Sequence, residues 1–309
     1  MSRVSGLMSR ISSLGSVSVN PWVLAARPAT LPAAAAAVVV GSALAAADGV
    51  FRWDAFLVTL FAAISIQVGV NYANDLADAE KGADTAARIG PTRAVASGLL
   101  TPGQMKRGIA AAFSLAAIAG CYLIWLAGWV ILAIGIVSII AALGYTNGPI
   151  PYGYYGLGEV CVFVFFGLVA TVGTRYVFDR TAPADAWLSG VSMGLLAAAI
   201  LVANNVRDIE TDQVADKRTL AVILGRPAAR WMYTALLVFA YGVVAGAVTA
   251  DVLPTWALLS FASIPLAIAP VRTIFTQTDG PPLIGVLKAT ARLQLVFAAL
   301  LSIGVLLAA

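Results

Sequence analysis

The sequence has no histidine, only two cysteines and few charged residues. Its 309 residues include 15 Asp and Glu and 19 Lys and Arg, so that 11% are charged, whereas soluble globular proteins have about 25%. The lack of histidine excludes an imidazole base, an imidazole metal ligand and every catalytic triad that contains histidine. Cys121 and Cys161 lie inside apolar runs, so neither a disulfide framework nor a thiolate metal site is supported. The formal net charge of +4 is too small and too dispersed to indicate a nucleic-acid partner.

Apolar residues dominate the chain and define its class. Hydrophobic residues make up 61% of the sequence, and the few charges cannot cover a water-exposed surface, which indicates an integral membrane protein. A helix needs about 20 apolar residues to cross a bilayer core about 30 Å thick. The apolar runs predict an all-α bundle of nine transmembrane helices, located at 28–48, 55–74, two within 108–158 that are separated near Gly128 and Trp129, 160–174 with Glu159 at its start, 186–206, 231–250, 252–271 and 293–309.

The distribution of basic residues predicts the orientation of this bundle. Nine crossings place 16 of the 19 Lys and Arg on the side of the N-terminus and only Arg52, Arg175 and Arg180 on the other. Because cytoplasmic loops are enriched in Lys and Arg, we expect the N-terminus on the cytoplasmic side of a bacterial-type inner (cell) membrane. Residues 1–20 are Ser-rich and free of acidic side chains. We interpret them as a cytoplasmic or interfacial tail before a single transmembrane domain, residues 21–309.

Half of the scarce acidic residues lie in two short stretches, each of which directly follows an apolar run. Eight of the 15 Asp and Glu are found in residues 71–93 and 204–218. Both stretches contain the pattern N-[DN]-x-x-D, first at Asn74 and again 130 residues later at Asn204. Because an even number of crossings separates them, both are predicted to face the cytoplasm. Solvated loops that cap helices also contain Asp, Asn and Lys, but such loops have no reason to repeat this pattern.

The spacing within the two stretches favours a site for a divalent cation and a diphosphate. Residues three or four apart share one face of a helix, which groups the predicted metal ligands into two ladders, Asn74, Asp75 and Asp78 and then Asn204, Asp208 and Asp212. Carboxylate and amide oxygens suit Mg²⁺ or Mn²⁺. Cationic side chains that could clamp a diphosphate follow closely in both stretches, and these are Arg88, Arg93, Lys217 and Arg218.

Between the acidic stretches, residues 145–159 combine prolines, glycines and aromatic side chains. Pro149 and Pro151 prevent a continuous helix, so this segment is predicted to be a broken connection on the cytoplasmic side. Glu159 is an ionisable group at the membrane boundary, which makes it a functional candidate. The candidates for binding a planar aromatic substrate are Tyr145, Asn147, Tyr152, Tyr154 and Tyr155. The alternative is an aromatic belt at the membrane surface with one interfacial acid.

These residues resemble the motifs of the UbiA-type superfamily of intramembrane aromatic prenyltransferases. The resemblance extends from Arg27-Pro28-x-Thr30-Leu31-Pro32 to the last apolar run. It matches the superfamily's two aspartate-rich motifs at Asn74, Asp75, Asp78 and Asp84 and at Asn204, Asp208 and Asp212. The resemblance implies nine helices around a central cavity that is capped on the cytoplasmic side and open laterally to lipid. It also implies that Mg²⁺ and the diphosphate of a polyprenyl substrate meet at the cap.

Three strings are similar to the branch of this superfamily that prenylates 1,4-dihydroxy-2-naphthoate in menaquinone synthesis: NDLADAEKGADTAARIGPTRAV, YTNGPIPYGYYGLGE and NNVRDIETDQVADKRTLAVILG. This similarity implies transfer of a polyprenyl group from polyprenyl diphosphate to the naphthoate with loss of CO₂ and diphosphate, which gives demethylmenaquinol. Two role assignments are hypotheses within it. Asp84 and Glu159 are candidates for the base that accepts a ring-hydroxyl proton, and Lys81 or Arg93 for the cation that holds the substrate carboxylate.

Two alternatives differ from this interpretation in substrate or in class. Another aromatic or alcohol acceptor, such as 4-hydroxybenzoate, homogentisate or a chlorophyllide-type alcohol, would be distinguished by residues 145–159 rather than by the acidic stretches. A transporter or cation channel would also explain internal repeats, broken helices and carboxylates near the membrane. Transporters, however, place charge near the bilayer midplane, whereas both acidic stretches lie at one predicted face, which favours the enzyme.

Overall fold

All the regular secondary structure in the part of the chain that the structure describes is helical. The structure is a computed structural model and describes residues 20–82, 92–145, 151–278 and 280–309. The helices are α1 (Pro21–Ala26), α2 (Leu31–Ala47), α3 (Trp53–Glu80), α4 (Pro102–Ala127), α5 (Trp129–Gly144), α6 (Gly158–Asp179), α7 (Ala184–Arg207), α8 (Ile209–Val214), α9 (Leu220–Thr249), α10 (Pro265–Thr276) and α11 (Gly280–Leu306). Two 3₁₀ segments, Tyr152–Tyr154 and Thr255–Ser263, precede α6 and α10.

Most of the predicted apolar runs form helices long enough to cross a bilayer. Among the described residues, α3, α4, α6, α7, α9 and α11 pass this test by length and composition, and Thr255–Ser263 with α10 makes a seventh candidate that is bent by 44°. The apolar helices α2 and α5 are shorter, at 17 and 16 residues. The prediction of an all-helical membrane protein is therefore confirmed, whereas nine crossings stay a prediction.

The break that the sequence predicts between α4 and α5 falls at a single glycine. Gly128 has φ +88° and ψ −167°, a backbone conformation that side chains with a Cβ atom rarely adopt. A second break lies inside α9, where Gly225 has φ +78° and ψ 159° and is followed closely by Pro227. The break at Gly128 is flanked by apolar residues, whereas the break in α9 has Arg226 between Gly225 and Pro227.

The start of α2 is fixed against α3 by polar side chains. The Asn71 side chain donates from Nδ2 to the backbone oxygen of Ala26 (2.8 Å) and to Thr30 Oγ1 (3.1 Å). Gln67, one turn earlier on α3, donates to the same hydroxyl at 3.3 Å. These contacts hold the N-terminal motif around Thr30 against the end of α3 that contains the first acidic stretch.

Helix α6 is irregular and packs unusually closely on α7. Its Phe163–Val169 segment is π-helical, and it crosses α7 where both helices have glycine. A Cβ atom on Gly167 would lie 2.3 Å from Gly194 Cα, and one on Gly194 would lie 2.6 Å from the backbone oxygen of Phe163. Small residues allow this kind of close backbone approach between membrane helices. The contact fixes the position of α6 relative to α7, on which the second acidic stretch begins.

The main core surrounds α7, which is the most buried of the candidate spans. Side chains of α7 such as Met193 and Leu196 pack with α9 and α11, where Tyr233 and Phe297 are fully buried. The Tyr233 hydroxyl is 2.7 Å from Thr290 Oγ1, so that this buried polar atom is satisfied. Helix α7 therefore provides a rigid support for the residues at its C-terminal end.

We predict that Gly194→Ala destabilises the protein, because the added methyl group would push against the backbone of α6. The expected loss is about 1–3 kcal/mol, measured as a lower midpoint of unfolding when SDS is titrated into the protein in mild detergent. Gly242→Ala on α9 is the matched control, since no heavy atom lies within 4 Å of its added Cβ. It should be neutral or slightly stabilising, as alanine favours a helix by about 1 kcal/mol over glycine. Equal effects of the two substitutions would contradict the close contact.

Candidate functional site

A cavity of about 560 Å³ lies between the helices and has one polar end. Apolar side chains of α3 to α6 line most of it, including Ile66, Leu123, Ile139, Phe165 and Val177. The polar end brings together residues of both acidic stretches, and these are Asn74, Asp78, Arg93, Asn204, Asn205, Asp208, Thr211, Asp212 and Lys217. The two stretches that the sequence pairs by pattern therefore meet in space at the end of one long apolar cavity.

In the first stretch, Asp78 faces the cavity and is held by two donors. Its Oδ2 accepts a hydrogen bond from Arg93 Nη2 at 2.9 Å, and its Oδ1 accepts from the Tyr154 hydroxyl at 3.1 Å. Both partners of the ion pair are about 90% buried, with 10% of the Arg93 side chain and 9% of the Asp78 side chain exposed. The sequence predicts Tyr154 as a candidate for the aromatic substrate, and the structure places its hydroxyl on Asp78 instead.

In the second stretch, Arg207 organises the ladder of Asn204 and Asp208. The buried Arg207 side chain donates from Nε to Asp208 Oδ1 (2.6 Å) and from Nη2 to Asn204 Oδ1 (2.8 Å). A second contact joins Arg207 Nη2 to Asp208 Oδ2. From the sequence, Arg207 counts only among the charges that indicate topology. Its position three residues after Asn204, on the same helical face, was the signal that could have identified it.

Asp212, on α8, is the most weakly held carboxylate at the polar end. Lys217 Nζ lies 3.7 Å from its Oδ1, while its Oδ2 is buried and has no hydrogen-bond partner among the described residues. Burial raises the pKa of the Asp212 carboxyl to about 6, and the charges of Asp208 and Asp78 act in the same direction against the lowering effect of Lys217. An oxygen of this kind is suited to accept a cation.

The donor set at the polar end fits a hard divalent cation that is shared with a substrate. No group of three or more His, Cys, Asp or Glu side chains in the described ranges is placed to hold a metal ion unaided. Mg²⁺ characteristically uses only a few carboxylates and takes its remaining ligands from substrate phosphates and water. The unpartnered Asp212 oxygen beside Asp208, Asp78 and Asn204 fits that mode of binding. Residues present at this end can therefore hold Mg²⁺ together with a phosphate ligand.

Asp75 and two of the predicted cationic residues lie away from the cavity. The two oxygens of Asp75 accept hydrogen bonds from the backbone N–H groups of Ala94 (3.1 Å) and Val95 (3.0 Å), so this carboxylate anchors the end of the first stretch. The Arg218 side chain is exposed. Lys81 is also exposed, and its Nζ lies 4.3 Å from the centroid of the Tyr154 ring. None of the three is part of the cavity wall.

The aromatic segment contributes Tyr145 and Tyr152 to the cavity wall. Their rings meet edge to face, with centroids 5.6 Å apart and an interplanar angle of 87°. The Tyr152 hydroxyl donates to the backbone oxygen of Ala141. Burial raises the pKa of both phenols above the ordinary value, with the charge of Glu159 adding to the effect at Tyr145. Both hydroxyls are therefore protonated and can serve as hydrogen-bond donors.

Glu159 is buried behind the cavity wall rather than in it. Its Oε1 accepts a hydrogen bond from Asn205 Nδ2 at 2.9 Å, and its Oε2 is buried with no hydrogen-bond partner among the described residues. Asn205 itself lines the cavity and is, after Arg207, a second residue that was not predicted. Three predicted site residues, Asp84, Arg88 and Asn147, lie outside the described residues.

We predict that Asp75→Asn lowers stability at neutral pH, whereas Asp212→Asn does not. Both variants are measured without added Mg²⁺ or diphosphate. The amide at position 75 would place an N–H group against a backbone N–H group, at a cost of about 1–3 kcal/mol. The amide at position 212 removes a charge that burial disfavours, so this variant should unfold at the same temperature as the parent or higher. Detergent-solubilised protein and a thermal unfolding assay suffice. A loss of stability in both variants would contradict the difference between the two carboxylates.

The pKa of Asp212 also predicts how stability depends on pH. The folded-state value is about 6, whereas an unfolded Asp titrates near about 3.9, so the folded protein binds this proton more tightly. The stability of the parent protein should therefore rise as the pH falls through about 6 towards about 4. Asp212→Asn should lack this contribution, and identical pH profiles for parent and variant would contradict the assignment.

Comparisons with known proteins agree with this arrangement. A model described as the UbiA prenyltransferase family matches residues 34–284. The chain is 40% identical over 279 residues to the 1,4-dihydroxy-2-naphthoate octaprenyltransferase of Mycobacterium tuberculosis, covering 90% of this chain and 94% of that protein. It is 36% identical to the protein of the same description from Escherichia coli, covering 93% and 95%. A solved UbiA homolog from Archaeoglobus fulgidus, bound to DMAPP and Mg²⁺, has the same fold with a TM-score of 0.64 at 14% identity, covering 93% of this chain and 99% of that one.

Proposed function

The chain belongs to the UbiA prenyltransferase family, and we propose that it transfers a polyprenyl group from polyprenyl diphosphate to 1,4-dihydroxy-2-naphthoate. The allylic C–O bond to the diphosphate breaks, a bond forms between the allylic carbon and the ring, and the ring carboxylate leaves as CO₂. The product is demethylmenaquinol, the precursor of menaquinone. The observation that carries this proposal is the meeting of both acidic stretches at the polar end of one apolar cavity, in a chain so similar to naphthoate prenyltransferases.

The polar end is suited to hold the diphosphate and Mg²⁺. Bound there, Mg²⁺ supplies positive charge that offsets the negative charge of the departing diphosphate. The residues that would hold it are Asn74, Asp78, Asn204, Asp208 and Asp212. Arg93 and Lys217 lie beside these carboxylates and can donate to diphosphate oxygens, and Arg88 and Arg218 remain candidates for the same role. Asp75 supports this end by holding the backbone at Ala94 and Val95.

The apolar part of the cavity is suited to the polyprenyl chain and to the reactive allylic cation. Along α3 the cavity wall extends from Asp78 to Thr59, a separation of 19 residues, which corresponds to about 28 Å at 1.5 Å per residue. Few polar groups along this length compete for the cation, and exclusion of water protects it from hydrolysis. The fold thus keeps the long tail in a hydrocarbon environment while its diphosphate reaches the polar end.

We place the polar end on the cytoplasmic side of the bacterial inner (cell) membrane. Support comes from the excess of Lys and Arg on that side, 16 of 19 when nine crossings are assumed. Nine crossings require α2 and α5, which are shorter than the other spans, to traverse the bilayer as well. In this topology the water-soluble 1,4-dihydroxy-2-naphthoate enters from the cytoplasm, and the product diphosphate leaves to it.

We expect purified protein in detergent to convert 1,4-dihydroxy-2-naphthoate and a radiolabelled polyprenyl diphosphate to prenylated, decarboxylated naphthoquinol when Mg²⁺ is present. EDTA should abolish the product, and Asp208→Asn should lower the rate at least about 100-fold because a charge at the polar end is lost. Glu210→Gln is the matched control, since Glu210 lies in the same stretch but is exposed and paired with Arg226. It should retain the parent rate.

The outcomes of this assay separate the alternatives. Prenylation of 4-hydroxybenzoate or homogentisate in place of the naphthoate would overturn the proposed acceptor and keep the reaction class. The absence of turnover with every aromatic acceptor, by protein shown to be folded, would favour transport.

We also predict that Mg²⁺ binding depends on a phosphate ligand. Because few carboxylates face the site, Mg²⁺ alone should bind weakly, and inorganic diphosphate should increase its affinity by at least about 10-fold through shared coordination. Isothermal titration calorimetry of Mg²⁺ with and without diphosphate measures this change. An unchanged affinity would show that the protein side chains suffice to hold the ion.

A further inference from the structure

Asn205 presents one end of its carboxamide to Glu159 and the other to the cavity. Nδ2 donates to Glu159 Oε1 at 2.9 Å, and Asn205 is buried and lines the cavity. Oδ1 accepts no hydrogen bond from any described residue, yet it is not among the buried atoms that lack a partner. It is therefore accessible from the cavity.

The carboxylate of Glu159 determines which way this amide points. Oε1 of Glu159 accepts the hydrogen bond, and an asparagine side chain has one donor end, Nδ2, and one acceptor end, Oδ1. Nδ2 must therefore face Glu159, which leaves Oδ1 on the opposite side, towards the cavity. A buried partner of this kind holds the side chain in one orientation before any ligand arrives.

The same corner of the cavity contains the hydroxyl of Tyr145. A Cβ atom on Gly158, the residue before Glu159, would lie 3.0 Å from Tyr145 Oη and 3.2 Å from Leu201 Cδ2. Leu201 is one helical turn before Asn205 on α7. Tyr145 and Leu201 therefore both lie against the start of α6. Asn204 directly precedes Asn205 on α7, and Asp208 lies just beyond the end of that helix. An aromatic ring at this corner would be adjacent to the diphosphate end.

We propose that Asn205 Oδ1 accepts a hydrogen bond from a ring hydroxyl of the aromatic substrate, and that Glu159 is a positioning residue that acts through Asn205. The inference rests on the proposed function and assigns the acceptor subsite of that reaction. The Tyr145 hydroxyl provides a donor on the other side of the same corner. Asn205 and Tyr145 should together select aromatic substrates that have a ring hydroxyl. A ring without a hydroxyl would leave Asn205 Oδ1 buried and unpaired.

The net reaction needs no base at this position. When the carboxylate leaves as CO₂, the electron pair of its bond to the ring stays in the ring and neutralises the charge brought by the allylic cation. No proton is released overall. An acceptor on the ring hydroxyl increases the electron density of the ring, and a neutral amide oxygen can provide this without taking the proton.

Steady-state kinetics with each substrate varied in turn tests the proposal. Asn205→Leu removes both ends of the amide and should raise the KM for the naphthoate by about 10-fold or more, while the KM for the polyprenyl diphosphate changes less than about 2-fold. Glu159→Leu should have the same pattern, because Asn205 is no longer oriented. Glu159→Gln is the conservative variant, since its amide oxygen still accepts from Asn205 Nδ2. Its KM for the naphthoate and its KM for the polyprenyl diphosphate should both stay within about 3-fold of the parent values.

Folding is controlled separately for every variant. Mg²⁺ binding in the presence of inorganic diphosphate does not involve the aromatic substrate, and it reports whether the polar end is intact. If Glu159→Leu fails this control, Asn205→Leu and Glu159→Gln still decide the question.

Two results would overturn the inference. An unchanged naphthoate KM in folded Asn205→Leu would remove Asn205 from the acceptor subsite. A kcat for Glu159→Gln that falls as far as that of Glu159→Leu, with the naphthoate KM unchanged, would identify Glu159 as a base instead. Failure of the parent protein to prenylate the naphthoate is a different result, because it would overturn the proposed function itself.

Discussion

Carboxylates that lose their water at a membrane boundary need partners, and this requirement organises the polar end of the cavity. An unpaired buried charge is strongly destabilising, whereas a hydrogen-bonded ion pair can be accommodated. Asp78 is held by Arg93 and Tyr154, Asp208 by Arg207, and Asp75 by two backbone N–H groups. Each of these partners also fixes an orientation. The fold therefore presents its oxygens in a set arrangement, and Asp212 alone among them retains a buried oxygen without a partner in the described chain.

The two copies of the acidic pattern meet this requirement in different ways. Arg93 is 15 residues from Asp78 along the chain, so the first copy depends on a contact between two separate parts of the chain. Arg207 directly precedes Asp208, so the second copy is completed within one helix and its end. The second copy is thus a local structure on the rigid α7, whereas the first is assembled from two segments. This asymmetry explains how a repeated pattern can produce two non-equivalent halves of one site.

The sequence predicts the helices and the pairing of the acidic stretches, because both follow from local spacing. Apolar runs locate the spans, and Gly128 ends one of them as expected. Spacing alone does not separate Asp75 from Asp78, since residues three apart share a face and only packing decides which one meets the cavity. Spacing also selected Asn204 and left out Asn205, although both line the cavity. The position of Glu159 behind Asn205 depends on how α6 crosses α7, which no local pattern determines.

The π-helical turns of α6 change the angle between two faces of this helix, an angle that a regular α-helix would fix. Gly167 must face α7 for the helices to approach, and Glu159 must face Asn205 on the same helix. In an uninterrupted α-helix each residue rotates the chain by about 100°, so fixing one face also fixes the other. The wider π-helical turns between the two positions change the angle between the faces on which they lie. The irregularity at Phe163–Val169 thus sets the angle between the face of α6 that packs on α7 and the face that presents Glu159 to Asn205.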